Sequence, residues 1–218
     1  MDLANRIFNT SLTKTQAKNY NGIDIYDIGK HINHGSNYGM TFIKLGEYLE
    51  QNGYFYTAAD CKEFMAIGKA LNPRTTQWQA ETIKTAERDG FLRNPFGRIR
   101  WFSTKYLSTE CLAFLPSSTL ADIIIRAMIG HYPQRFPTEI SVLGLQRTCE
   151  FVPGWFLNIQ IHDSLVLQGP SSGSLAQAQR TREVMTQPWA ELEGFSLNVE
   201  AKVGGPGVSW GDLEVINL

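Results

Sequence analysis

The chain has 218 residues, of which 43% are hydrophobic and 19% charged, with a formal net charge of −1 at pH 7. That composition is ordinary for a globular chain of one or two domains. The near-neutral charge argues against nucleic-acid binding by bulk charge. No apolar run is expected to cross a membrane, and the three cysteines follow no metal-ligand spacing.

The first half of the chain is predicted to be helical. The pattern indicates a short helix over 1–10, a polar loop over 10–22, helical periodicity over 24–52, and helices from Thr57 or Asp60 to Leu71 and from there to Asp89. We expect Gly39 or Gly46 to interrupt the periodic segment, because glycine weakens a helix interior. Asn72-Pro73 and Gly90 are typical helix ends.

The second half is predicted to combine helices with hairpins. The elements expected are a turn over Asn94-Pro95-Phe96-Gly97 between two strands, a helix over 106–130, a hairpin around residue 162, a helix near 174–190 and a strand near 195–203. The long helix has an apolar face that is expected in the core, formed by Leu112, Leu115, Ile123, Ile124 and Met128. Helices packed on a mainly antiparallel sheet predict an α+β fold.

A His-Asp pair interrupts an alternating apolar and polar stretch over residues 159–167. The alternation is typical of a half-buried strand, so the pair is predicted to lie at the turn of a hairpin. There, the carboxylate of Asp163 offers the hard oxygen ligand that Mg²⁺ requires. The alternative is that Asp163 and Ser164 only form a tight turn, since both residue types favour turns.

Lys30, His34 and Tyr38 are spaced four residues apart, which places them on one face of a helix. An ammonium group can meet phosphate, and the two rings can stack on a base or press on a sugar. This row is therefore suited to a nucleotide. The alternative is an ordinary amphipathic helix with a solvated lysine and a packed tyrosine. Gly35 and Gly39 argue against it, because such glycines usually mark a close approach.

Five segments carry a resemblance to one protein family. A lysine followed eight positions later by Tyr-Gly, with a distant His-Asp strand, resembles the fingers helix and palm hairpin of family A DNA polymerases, and residues 33–39 are most similar to phage-type members. Three further segments are similar to family motifs: a Gly-Arg-x-Arg hairpin at 90–100, a Pro-Gln-x-Thr-Ala-Ala-Asp helix entry at 115–124 and the end of the palm at 208–213. All five come in family order and cover nearly the whole chain.

The resemblance implies an α+β partial polymerase domain over residues 1–218. Its fingers-like part, residues 1–105, would contain helices and the Gly-Arg-x-Arg hairpin. Its palm-like part, residues 106–218, would contain the long helix, a small antiparallel sheet bearing the His-Asp hairpin and the C-terminal strand.

The resemblance also implies roles for individual residues. Lys30 would contact the phosphates of the incoming nucleotide as part of catalysis, and His34 and Tyr38 would bind its base and sugar. Asp163 would ligate Mg²⁺ at the catalytic centre, and His162 would lie near the primer terminus and touch DNA. Two further DNA contacts, to the duplex backbone, would come from Arg98 and Arg100.

One catalytic group of the family has no counterpart here. Family A members carry a first catalytic aspartate in an upstream Asp-x-Ser-x-Ile-Glu strand, whereas residues 1–8 resemble the helix that follows it. The chain would thus hold one ligand of a two-ion Mg²⁺ site and need an upstream polymerase fragment for the other. Tyr26, Ser117 and Ser164 replace the family's usual Arg, Gln and Glu, which would weaken phosphate and template contacts.

The resemblance therefore implies template-directed DNA synthesis, in which dNTPs are joined to the 3′ end of a primer on primer-template DNA, with an upstream fragment as partner and no membrane. The cysteine usage and the absence of a signal-peptide pattern favour the cytoplasm, and the resemblance to phage-type members implies that of a bacterium or a phage-infected host. Two alternatives remain open. One is a piece of a single-subunit phage-type RNA polymerase, which Ser164 favours. The other is a non-catalytic remnant that binds DNA.

Overall fold

The computed structural model describes residues 2–103, 107–136, 138–139 and 143–218. These residues form helices and short strands that pair only as antiparallel hairpins, in three two-stranded sheets. The predicted α+β class is confirmed. The chain divides into two compact units, one made of the residues up to Arg93 together with Ile99–Pro116, the other of Asn94–Arg98 together with Ser117–Leu218.

The helices are α1 Asp2–Ile7, α2 Lys14–Ala17, α3 Ile25–Asn37, α4 Phe42–Gln51, α5 Ala58–Leu71, α6 Pro73–Asp89, α7 Leu107–Gly130 and α8 Ser174–Met185. The strands are β1 Phe91–Arg93, β2 Ile99–Trp101, β3 Phe156–Ile161, β4 Ser164–Gln168, β5 Ala201–Val203 and β6 Glu214–Ile216. Single 3₁₀ turns form at Ser171–Gly173, Ala190–Leu192 and Trp210–Asp212.

Helix boundaries in the first unit follow from local chemistry. Thr57 and Asp60 form a reciprocal capping box at the start of α5. Pro73 occupies the first turn of α6, where its missing N–H costs nothing. Gly90 ends α6 in the left-handed conformation, with φ of +74°. These predicted boundaries are confirmed.

Two expectations in this region need correction. The segment predicted as a loop over 10–22 contains the four-residue helix α2, which begins with a capping box between Thr13 and Gln16. The spacing of this threonine and glutamine is the sequence pattern of a capping box. The periodic stretch over 24–52 is two helices, broken at Gly39 with φ of +73°, whereas Gly46 lies inside α4.

The first unit is built on a core between α1, α3, α4 and α5. Its buried members are Leu3, Ile28, Ile32, Leu45, Leu49, Cys61, Phe64 and Met65. A methyl group at Gly29 of α3 would lie 2.8 Å from Cβ of Ala4, so this glycine permits the close approach of α1. The packing fixes α3 with its opposite side toward solvent.

Helix α7 supplies buried residues to both units. Leu112 packs with Ala86, Leu92 and Phe114 in the first, and Ile123 and Ile124 are buried in the second. The predicted apolar face is therefore largely confirmed. Pro116 lies inside this helix and not at its entry, which corrects the expectation for that motif.

The expectation that no apolar run could cross a membrane is wrong by the criteria of length and composition. Among the described residues, the helical segment Ser108–Gly130 is long enough and apolar enough to cross a bilayer, judged by length and composition alone. Its inner residues pack in the cores of the two units, as in the core helix of a folded domain, and Asp122 and Arg126 form ion pairs along it.

The C-terminal part differs from its prediction in extent. Helix α8 ends at Met185, and the strand expected near 195–203 is reduced to Ala201–Val203, which pairs with the unforeseen strand β6. The segment expected at the end of the palm contains the 3₁₀ turn Trp210–Asp212. The predicted boundary between residues 105 and 106 lies outside the described residues, so the division into 1–105 and 106–218 stays a prediction.

Candidate nucleotide and DNA site

Helix α3 presents the predicted nucleotide row at one of its ends. Lys30 and His34 are exposed on the helix, and Tyr38 is the capping residue that follows its last turn. The rings of His34 and Tyr38 meet edge to face with centroids 4.8 Å apart. Lys30 lies one helical turn before His34 on the same face. Lys30 and His34 therefore share a helix face as expected, whereas Tyr38 lies just beyond the helix and joins them through its contact with His34.

The chain leaves α3 through a Schellman turn. Gly39 is left-handed, and the N–H of Met40 donates to the carbonyl of Gly35 over 2.9 Å. A methyl group at Gly35 would lie 2.7 Å from Sδ of Met40, so this glycine lets the Met40 side chain fold back over the helix. Both glycines that stood out in the sequence thus have a structural purpose at Tyr38.

The other side of α3 carries polar contacts that the sequence did not reveal. Nε2 of His31 lies 2.8 Å from the hydroxyl of Tyr48 and 3.3 Å from a carboxylate oxygen of Asp27. Burial, with the negative charge of Asp27, raises the pKa of Tyr48. At Tyr26, where the resemblance places an arginine, Nζ of Lys14 lies 5.0 Å from the ring centroid.

His162 and Asp163 form the turn between β3 and β4, as predicted, and both are exposed. His162 is left-handed with φ of +51°, a conformation that non-glycine residues adopt infrequently. The side chain of Gln160 donates to the carbonyl of His162 over 2.5 Å, which supports this turn from the preceding strand. The hydroxyl of Ser164 lies 3.4 Å from a carboxylate oxygen of Asp163.

The β3–β4 hairpin is packed on one face only. On that face Leu165 packs against core residues of α7 and α8, and the strand pairing shifts register between Leu157 and Ile159. The opposite face carries Phe156, Ile159 and Ile161, which are 48%, 50% and 37% exposed. We call these three side chains the open face of the hairpin.

The cation site expected at Asp163 is incomplete in the part of the chain that the structure describes. No group of three or more His, Cys, Asp or Glu side chains there is arranged to hold a metal ion. Asp163 offers one carboxylate, with the Ser164 hydroxyl beside it. A divalent ion that takes six oxygen ligands needs more than these two groups.

Arg98 is exposed at the turn of the β1–β2 hairpin and pairs with the mostly buried Asp122 of α7. The guanidinium donates through two nitrogens to the carboxylate, with distances between 2.5 and 3.2 Å, and the amide of Asn94 donates to the same carboxylate over 2.6 Å. Burial alone would raise the pKa of Asp122, but the bonds from Arg98 and Asn94 outweigh it and lower the pKa. Two motifs read separately in the sequence therefore meet in one ion pair.

Arg100 has a looser arrangement. Its guanidinium lies 2.8 Å from Glu110 and 5.2 Å from the ring centroid of Phe102, and both charged side chains are about half exposed. The DNA contacts expected of Arg98 and Arg100 stay predictions, and Arg100 has the more exchangeable partner.

A third arginine, Arg126 of α7, contacts the turn of the β1–β2 hairpin at Phe96, and the sequence does not predict this contact. Arg126 lies 4.0 Å from the ring centroid of Phe96 and 5.3 Å from that of Trp189. It also donates to the carbonyl of Leu143 and to Glu191. Its position in the middle of an apolar helix gave no sign of these contacts.

Comparisons with known proteins point in one direction. No family model matches the chain. It is 26% identical over 165 residues to the thermostable DNA polymerase I of Thermus aquaticus, which covers 72% of this chain and 17% of that polymerase. Its fold matches the POL domain of Pol1 from M. smegmatis, solved in complex with DNA primer-template and dNTP, with a TM-score of 0.59, 20% identity, and coverage of 84% of this chain and 30% of the other.

The chain thus spans less than a third of the length of each of these two proteins. The sequence similarity reaches across most of the chain, and the shared fold is independent of the motifs quoted above. Both findings agree with the resemblance to family A DNA polymerases: over most of its length, this chain is similar in sequence to a DNA polymerase I and in fold to part of a POL domain.

Proposed function

We propose that this chain takes part in template-directed DNA synthesis, the transfer of a nucleotide from a dNTP to the 3′ end of a primer. The observation that carries the proposal is the row of exposed Lys30, exposed His34 and half-buried Tyr38, on a fold that matches a polymerase solved with primer-template and dNTP. Primer-template DNA and dNTPs are accordingly the partners we propose.

The chemistry of the row fits a nucleotide. Lys30 has no ion-pair partner among the described residues, so its ammonium is available to a triphosphate. There it would stabilise the negative charge that develops on the phosphates during transfer. The contact between the His34 and Tyr38 rings gives a joined aromatic surface against which a base and its sugar can rest.

At the hairpin, Asp163 supplies one carboxylate of a two-ion Mg²⁺ site, and His162 lies beside it to contact the primer terminus. Mg²⁺ bound there would neutralise phosphate charge. Since no group of three or more metal-ligating side chains is found among the described residues, we propose that an upstream polymerase fragment provides the second carboxylate. The open face of the hairpin supports such a partner, because an apolar face of a two-stranded sheet is normally covered.

We assign different roles in duplex binding to Arg98 and Arg100 of the β1–β2 hairpin. Arg100, half exposed and paired with an exposed Glu110, can exchange that partner for a phosphate. Arg98 is better suited to holding the hairpin tip on Asp122 than to leaving it for DNA. We place this activity in the cytoplasm of a bacterium or of a phage-infected host.

The test is reconstitution. The chain is mixed with a family A polymerase fragment that ends after its first catalytic-aspartate strand, and with primer-template, Mg²⁺ and dNTPs. Primer extension is expected in the mixture and is expected to disappear with Asp163→Ala, while Glu200→Ala, which removes an exposed carboxylate of the same unit, leaves it intact. Extension that survives Asp163→Ala removes this residue from the metal site.

Two further arms separate the alternatives. Replacing dNTPs by ribonucleotides is expected to abolish extension, and extension with ribonucleotides alone would favour the RNA polymerase reading. Salt-dependent binding of primer-template without turnover in any mixture would favour a non-catalytic DNA-binding protein.

A further inference from the structure

The end of α3 is held by a residue far away in the sequence. Gln79 lies on α6, and its side-chain amide donates to the carbonyl of Ser36 over 2.6 Å and to that of Asn37 over 3.0 Å. These two carbonyls belong to the last turn of α3, immediately before Tyr38. Gln79 therefore caps this helix from outside.

Counting the hydrogen bonds shows why the cap is needed. The last carbonyls of a helix have no partner within the helix itself. The Schellman turn gives backbone donors to His34, Gly35 and Ser36. Within the described part of the chain, the carbonyl of Asn37 receives only the amide of Gln79. The hydroxyl of Ser36 is buried and has no hydrogen-bond partner there, so it does not replace this donor.

The bonded carbonyls fix the peptide planes on which Tyr38 depends. Tyr38 has φ of −99° and ψ of 14°, so it lies outside the regular helix. The direction of its side chain therefore depends on the conformation of the preceding turn. In this setting of the backbone, its ring meets that of His34. Without the amide of Gln79, the turn would have an unsatisfied carbonyl and could rotate to find water.

We propose that Gln79 is a positioning residue for nucleotide binding, which acts by holding Tyr38 against His34. This inference rests on the proposed function of the α3 row. Gln79 itself touches the backbone of α3 and not the nucleotide. It would be invisible to any motif search, because its two acceptors are backbone atoms 42 and 43 residues away.

The first measurement follows the cap in the chain by itself. Gln79→Leu keeps the size of the side chain but removes both donors. Amide hydrogen exchange at Tyr38, Gly39 and Met40 is expected to accelerate about fivefold to tenfold, the range for loss of one or two hydrogen bonds. Gln77→Leu is the matched control, because the amide of Gln77 bonds only within α6, to Glu81. It is expected to leave exchange at these positions unchanged.

The second measurement uses the reconstituted complex with dATP as the varied substrate. Gln79→Leu is expected to raise KM for dATP about tenfold, with kcat and the affinity for primer-template changed less than twofold. In a Tyr38→Ala background the same substitution is expected to have no further effect on KM. A merely structural role would raise KM, lower kcat and weaken the affinity for primer-template together, and it would add to the effect of Tyr38→Ala.

The outcomes distinguish this inference from the function on which it rests. Unchanged exchange at 38–40, an unchanged KM, or an undiminished effect in the Tyr38→Ala background overturns the role of Gln79 while wild-type extension leaves the function standing. A wild-type complex that neither binds dATP nor extends a primer overturns both. In that case accelerated exchange would show that Gln79 is a helix cap and nothing more.

Discussion

At the scale of single residues, we expect the loss of the contact between Arg98 and Asp122 to destabilise the protein most. Asp122→Asn should lower the free energy of unfolding at pH 7 by about 1–2 kcal/mol, since it removes the charge that the guanidinium faces. The pKa of Asp122 is lowered in the folded state, so its contribution is present above the ordinary carboxyl pKa and is lost as pH falls through the lowered one.

Urea unfolding of wild type and Asp122→Asn at pH 7 and pH 3 measures this. The difference between the two proteins should shrink at pH 3. Glu110→Gln is the control, because Arg100 and Glu110 are both half exposed and such pairs contribute about 0.5 kcal/mol or less. Equal losses of unfolding free energy in Asp122→Asn and Glu110→Gln would mean that the turn of the β1–β2 hairpin does not depend on the ion pair of Arg98 with Asp122.

His131 gives a second dependence on pH in a separate window. Its ring is buried and stacks on Phe151, and burial lowers its pKa to about 4. Between pH 6.5 and 4 the unfolded chain binds the proton that the folded chain refuses, so stability should fall by up to about 3 kcal/mol as pH drops through that range. His131→Gln should flatten this part of the unfolding curve, and an identical slope in the variant would show that other groups cause it.

At the scale of elements, the close approach of α1 and α3 is testable through two glycines. Gly29→Ala should lower the free energy of unfolding by about 1–3 kcal/mol, because the new methyl group meets the backbone of Ala4 at 3.1 Å. Gly68→Ala in α5 meets only ordinary contacts at 3.7 Å or more, so it should be neutral or stabilise by up to about 1 kcal/mol. Thermal unfolding decides, and a stable Gly29→Ala would mean that α1 can move away.

The features that the sequence could predict are the local ones, whereas the features that it could not predict depend on contacts between distant segments. The breaks at Gly39 and Gly90 and the turn at His162-Asp163 depend on neighbouring residues, so local signals were sufficient. The cap from Gln79 and the pair of Arg98 with Asp122 join segments 24 to 43 residues apart. No local pattern encodes such pairs. The extent of β5 depends on pairing with β6, which its own residues do not announce.

At the scale of the whole molecule, the open face of the β3–β4 hairpin connects this chain to its proposed partner. Phe156, Ile159 and Ile161 are exposed, so the double substitution Ile159→Thr and Ile161→Thr should change the free energy of unfolding of the chain alone by no more than about 0.5 kcal/mol. The same change should weaken association with the upstream polymerase fragment more than tenfold, if the fragment covers this face.

Leu165→Thr is the opposite case, because Leu165 packs into the core on the other face of the same hairpin. It should cost about 1–3 kcal/mol of stability in the chain alone, with association reduced only as far as the fold is lost. Unfolding titrations and a binding isotherm for the fragment separate the two. Unimpaired association of the double variant would place the fragment elsewhere, and the second carboxylate of the cation site would then have to reach Asp163 by a route other than the open face.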